Sequence, residues 1–250
     1  MPNPKPEYID RCTLVARGPH DCRERDIVHV LSSIHAELLH IFGKNCIMHG
    51  LFNTHNTRLS QQDIGTLEQA TPDFFADFLR QHPARGNSPR LSAVINYQTR
   101  SRVMQAMYGF DHTINDASIS MRMPLTPLPR KHIIALATTI STAITPKALF
   151  YHSHTLMHAL HEQRPEPPPE PLTLPCGVIS FDDDHLTHFD AKWITLDPDQ
   201  RVPQDLDLPT IERIDQEHGA LFVANPKYFH TTERALLKDL IQLHDAIHRT

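Results

Sequence analysis

Apolar residues recur at three- and four-residue steps from Ile27 through Leu31, Ile34, Leu38 and Ile41. That spacing lines one face of an α-helix. Asp21 and Glu24 read as a capping box at its start, and Gly43 as its end. Thr71 and Pro72 predict a second helix, with an N-cap followed by a proline whose fixed φ suits the first turn. Its buried face would be Phe74, Phe75, Phe78 and Leu79. A third stripe, Ile133, Ile134, Ala137, Ile140 and Ile144, predicts a helix over 130–144. The last, Leu236, Leu240, Leu243 and Ile247, predicts one over 233–247, opened by Thr231 or Thr232.

Between these stripes the period falls to two, which marks strands. Leu91, Ala93, Ile95 and Tyr97 alternate within 90–99, and Ile119, Met121 and Met123 within 118–125. Val103–Phe110 precedes the latter, with Asn115 and Asp116 supplying the turn. Further strands are expected at 8–16, 46–52, 177–181 and 219–224. Segment 197–208 reads as a loop rich in proline and aspartate. Strand runs broken by helices predict an α+β fold, helices packed on a mostly antiparallel sheet. The prolines of 165–171 predict a stiff surface crossing inside a single domain spanning 1–250. No internal repeat at a solenoid period is present.

Charge divides the chain unevenly. Residues 1–160 hold 16 basic and 12 acidic side chains, whereas residues 161–250 hold 8 and 17. The net charge of −5 argues against a globally basic nucleic-acid binder. Arg80, Arg85, Arg90, Arg100 and Arg102 are spread widely enough to read as a solvated surface. No apolar run is long enough for a membrane span, and the opening Met-Pro-Asn-Pro-Lys-Pro has no apolar core of a secretory signal. A cytoplasmic protein without membrane or nucleic-acid partners is expected. Cys12, Cys22, Cys46 and Cys176 follow no metal or disulfide spacing and read as reduced thiols.

The chemistry-bearing clusters are sparse. His154, His158 and His161 would share a helix face, with His152 beside them, yet no glutamate stands between them as a zinc helix of the best-known kind requires. With 19 histidines in the chain, a polar helix face accounts for this run. His244-Asp245 is a lone pair on the last helix. Asp182, Asp183, Asp184, His185, His188 and Asp190 lack the ligand spacing of a calcium loop. No Gly-x-Ser-x-Gly elbow, Walker loop or dinucleotide glycine pattern occurs. The alternatives to a binding protein are a metal-dependent hydrolase using the 152–161 or 182–188 segment, or an adaptor subunit of a secretion apparatus.

The run Gly219-Ala220-Leu221-Phe222-Val223, then Pro226-Lys227-Tyr228-Phe229 and an amphipathic terminal helix, follows a strand pair closed by Pro127-Leu128-Pro129 and a helix ending before Thr145-Pro146-Lys147. This order resembles the immunity protein 52 family of bacterial polymorphic-toxin systems. The resemblance implies an α+β fold, no enzymatic activity, no cofactor, and a cognate toxin domain as partner, nucleases being frequent targets. An inhibitor of such a toxin meets a basic cleft, where carboxylates mimic phosphates and steer the encounter. The expected contact residues are therefore Asp182, Asp183, Asp184 and Asp190, with Asp197, Asp199, Asp205 and Asp207 as a second arc.

Overall fold

The computed structural model describes residues 12–53, 62–81, 91–100, 103–111, 113–123, 128–153 and 192–248, together with Leu156 and Ala159. In chain order the elements are β1 (Cys12–Pro19), α1 (Glu24–Phe42), β2 (Ile47–Asn53), β3 (Gln62–Thr66), α2 (Pro72–Gln81), β4 (Leu91–Gln98), β5 (Val103–Asp111) and β6 (Asp116–Met123). Then follow α3 (Arg130–Ile144), β7 (Ala148–Ser153), β8 (Ile194–Asp197), β9 (Ile211–Gln216), β10 (Gly219–Ala224) and α4 (Arg234–His248). All ten strands join one antiparallel sheet in the order β3-β2-β4-β5-β6-β1-β7-β8-β10-β9. This is the α+β architecture that the alternation of periods predicts.

Register explains why one face is the core. Ile95, Ala106, Met121, Leu14, Tyr151, Ile194 and Val223 are successive cross-strand partners over seven strands. All are buried. One step along each strand the side chains turn to the other face, because strand residues alternate. There Asn96, Gln105, Arg122, Thr13 and His152 form a half-buried polar row. Helix α1 lays Ile27, Leu31, Ile34 and Leu38 on the core as its spacing predicts. Helices α2 and α3 pack against α1, and α3 also reaches β1 and β7.

Several details depart from the pattern reading. No capping box opens α1: its N-cap is Arg23, with no side-chain cap, because Cys22 takes φ 53 and turns the chain first. Asp21 pairs with the Arg23 side chain instead. In α3 the buried stripe uses Leu136 where Ile134 was expected; Ile134 is only partly covered. The first strand runs on to Pro19, and residues before 12 lie outside the described ones. Strands β3, β7, β8 and β9 carry no sequence expectation, and β8 takes in Asp197, which read as loop. The expected strand at 177–181 and the proline crossing at 165–171 lie outside the described residues. Thr71 caps α2 as expected, its hydroxyl accepting the Phe74 N–H at 3.3 Å.

Candidate functional site

The expected contact aspartates do not share one fate. Asp182, Asp183, Asp184 and Asp190 lie outside the described residues. Asp197 is fully buried, and its Oδ2 accepts the Val202 N–H at 2.9 Å. It therefore shapes the turn after β8 and presents no carboxylate to a partner. Asp199, Asp205 and Asp207 are exposed. Glu212, Asp215 and Glu217 on β9 and its turn extend this surface along the sheet edge. Two arginines answer it within the segment: Arg201 pairs with Asp199, and Arg213 with Asp215, each at 2.8 Å. Arg130 reaches Glu212 from α3. Asp205 and Asp207 have no ion pair among the described residues. Sequence reasoning missed Glu212, Asp215 and Glu217 because β9 itself was not foreseen.

A cleft of about 310 Å³ opens where the end of β1, the start of α1, the β5–β6 turn and the end of α3 converge. His20, Asp26, His29, Asn115, Ile144 and Thr145 are among the residues lining it. The backbone is sharply turned around it: Asn115 and Thr145 have φ of 49 and 47, and Cys22, beside the wall, has φ 53. Gly18 lets β1 approach the turn after α3, since a Cβ there would stand 2.6 Å from the Pro146 Cα. The His20 Nδ1 accepts the Cys22 N–H at 2.9 Å, and burial lowers the His20 pKa, so the ring is neutral at pH 7. Arg23 bridges Asp21 at 2.7 Å and Asp26 at 2.6 Å. Arg17 pairs with Asp116 at 2.7 Å just outside the wall.

The buried titratable groups are built for structure. The Leu31 carbonyl can only accept, so His35 donates from Nδ1 at 2.7 Å. Its Nε2 then accepts the Tyr97 hydroxyl at 2.7 Å, and the Tyr97 oxygen accepts the Tyr108 hydroxyl at 3.0 Å. Every member is satisfied, and burial pushes the His35 pKa down to about 4. Burial likewise raises the tyrosine pKa values. The Cys22 and Cys46 thiols are pushed up to about 11 by burial, which leaves them protonated and weakly nucleophilic. Cys12 is buried as well, and none of the three is in a disulfide, as expected of small core residues.

Of the histidine run, His152 stands on β7, a strand rather than a helix, while His154, His158 and His161 lie outside the described residues. His244 lies 3.6 Å from its neighbour Asp245 on α4. Among the described residues no group of three or more His, Cys, Asp or Glu is arranged to hold a metal ion. No helix among them is long and apolar enough to cross a membrane.

A second aromatic cluster ties the segment that precedes α4 to the sheet. Tyr151 stacks on Phe229 at 5.8 Å and shares a hydrogen bond with His230 Nε2 at 2.9 Å. Trp193 donates its Nε1–H to the Thr231 carbonyl at 3.0 Å.

No protein-family model matches this chain, and no curated protein matches it. Among solved structures, the fold is similar to that of the Pseudomonas aeruginosa T6SS protein PA0821, with a TM-score of 0.51 and 10% sequence identity over 96% of this chain and 76% of that one. At that identity the likeness is one of fold.

Proposed function

We propose that this chain is an immunity-type protein that binds and neutralises a cognate secreted bacterial toxin domain, without catalysis of its own. The observation that carries the reading is the exposed acidic edge of the sheet. Segment 197–218 holds seven carboxylates and two arginines, and only Asp197 among the carboxylates is buried within the fold. An edge so charged repels other acidic surfaces and steers a basic cleft toward itself. It also blunts the open hydrogen-bonding groups of an edge strand against indiscriminate pairing. The order of strand, turn and terminal helix at 219–248 supports the kinship to immunity protein 52. The fold similarity to a T6SS protein supports a secretion-associated setting.

The test is rescue. The C-terminal domain of the protein encoded immediately upstream is expressed in a host cell, with and without this chain. Restored growth and a stable complex are expected. In the complex, the double variant Asp205→Lys, Asp207→Lys slows association about tenfold at low salt and flattens its salt dependence. Toxicity undiminished by co-expression, with no complex formed, overturns the reading. Binding by the charge-reversed variant at wild-type rate removes the acidic edge from the interface.

A further inference from the structure

We propose that the free edge of β9 pairs with the same edge of a second copy of this chain, antiparallel about a two-fold axis through Ile214, so that two sheets become one. The inference goes beyond the binding role proposed above and does not depend on it.

The edge is open and regular. Ala224 gives its N–H to the Trp193 carbonyl at 2.8 Å, so Ala224, Phe222 and Ala220 turn their backbone groups toward β8. Their partners on β9, Ile211, Arg213 and Asp215, therefore turn theirs away from β10. The Leu208 carbonyl takes the Ile211 N–H at 2.9 Å and closes that end. The N–H groups of Arg213 and Asp215 have no partner among the described residues. At the other edge of the sheet, β3 shifts register against Met48 and His49, Gly65 takes φ 97, and the Thr66 N–H goes to Gln69 Oε1 at 2.8 Å. Irregularity of that kind protects an edge from pairing. Strand β9 has none: it pairs with β10 from Ile211 to Gln216 without a shift.

The edge is complementary to itself. Antiparallel pairing about Ile214 puts Arg213 opposite the partner's Asp215, and Asp215 opposite the partner's Arg213. These are the residues whose backbone groups point outward, so each pair exchanges both of its backbone hydrogen bonds. Their side chains meet on one side of the sheet as opposite charges. Within the chain, Arg213 Nε bonds Asp215 Oδ1 at 2.8 Å and Nη1 reaches the Val202 carbonyl at 3.5 Å, which leaves Nη2 and Oδ2 for the second copy. On the other side Ile214 meets the partner's Ile214. Glu212 there meets the partner's Gln216, a carboxylate against an amide donor.

The register is selective. A slip of two residues brings Arg213 onto the partner's Arg213, or Asp215 onto the partner's Asp215, at the axis. Like charges directly opposite disfavour both slips. The strand itself carries little net charge, since Arg213 offsets Asp215 and Arg130 offsets Glu212. The charges that turn other strands away thus admit one partner in one register, and the result is a closed two-fold dimer.

Sedimentation velocity of the full chain, over a concentration series reaching the millimolar range, tests this. A reversible dimer is expected. Asp215→Arg sets arginine against arginine and Arg213→Asp sets aspartate against aspartate, so each variant alone should raise the dimer dissociation constant about tenfold. Mixing the two variants restores both opposite pairs, and a heterodimer of wild-type strength should return. The Asp215 side chain is 79% exposed, so Asp215→Arg keeps a wild-type melt. Ile214→Cys, oxidised, should yield a dimer linked 214 to 214, mapped by mass spectrometry. Should Arg213→Asp fail to fold, Asp215→Arg and the 214 link decide. A chain that is monomeric at every concentration overturns the proposal, as does a dimer that Asp215→Arg leaves intact, or two folded variants that do not combine. A toxin domain that protects the 213 and 215 amides from hydrogen exchange, where raising the chain concentration does not, assigns the edge to a toxin strand and overturns self-pairing. All arms but this last use the chain alone, so their failure leaves the immunity reading standing.

Discussion

The two wings of the sheet bury polarity in opposite ways. In the larger wing, β3 through β7, α1 is fastened to the strands by a neutral chain running from Leu31 through His35 and Tyr97 to Tyr108. In the smaller wing, β8 to β10 with α4, the fasteners are carboxylates. Asp239 on α4 accepts both the N–H and the hydroxyl of Thr210, at 2.8 and 2.7 Å, and Asp197 accepts the Val202 N–H. The wings meet at a narrow seam: β7 and β8 pair through two residue pairs, whereas β1 and β6 pair through eight. The cluster of Tyr151, Trp193, Phe229 and His230 packs across that seam. A neutral chain is sensitive to protonation of its one basic member, and a carboxylate clamp to loss of its acceptor.

Removing the acceptor gives the largest expected effect. Asp239→Ala leaves the buried Thr210 N–H and hydroxyl without a partner and should cost about 4 kcal/mol in urea unfolding. Thr210→Val, which removes one donor only, should cost less. Next comes acid. The folded His35 pKa of about 4 lies below the ordinary 6.5, so between those values the unfolded chain binds a proton that the folded chain refuses. The contribution of His35 to stability is whole above pH 6.5 and falls by about 3 kcal/mol as pH drops to 4. His35→Gln should lack that part of the pH dependence, read by comparing unfolding curves of the two proteins at several pH values. Tyr97→Phe breaks the chain in the middle and should cost about 2 kcal/mol, as it strands both His35 Nε2 and the Tyr108 hydroxyl. Tyr108→Phe removes only the terminal donor and should cost about 1 kcal/mol by the same measurement. If both phenylalanine variants cost the same, the chain is not directional as drawn.

Much of the larger wing could be read from residue spacing. The α1 stripe and the alternation of Leu91, Ala93, Ile95 and Tyr97 are periodic over enough positions to stand out, and the core follows them. The smaller wing was harder. Strand β9 reads Ile-Glu-Arg-Ile-Asp-Gln, and an edge strand with so little to bury has little apolar pattern to show. Strand β7 is six residues long, and its His152 invited a reading as part of a histidine helix. His35 escaped notice because a polar residue among Ile34 and Leu38 breaks the stripe; its proper partner, Tyr97, lies 62 positions away. The cleft draws its wall from four separate segments, and no local motif announces it. The aspartates at 199, 205 and 207 were visible as charge, but burial separated Asp197 from them.

Strand β1 lies in the interior of the sheet, between β6 and β7, although it is the earliest described strand. Its partners are Asp116–Met123 and Ala148–Ser153, roughly a hundred and more positions later. On the ribosome, the β5–β6 hairpin can close locally, yet its flank stays open until β1 docks, and β1 gains its second neighbour only after residue 153 has emerged. Sequence-distant pairing of this kind slows folding and prolongs the exposure of sticky strand edges. The order of strands thus makes assembly of the larger wing a late event in synthesis, with α3 waiting on β7 to complete the floor that β1 begins.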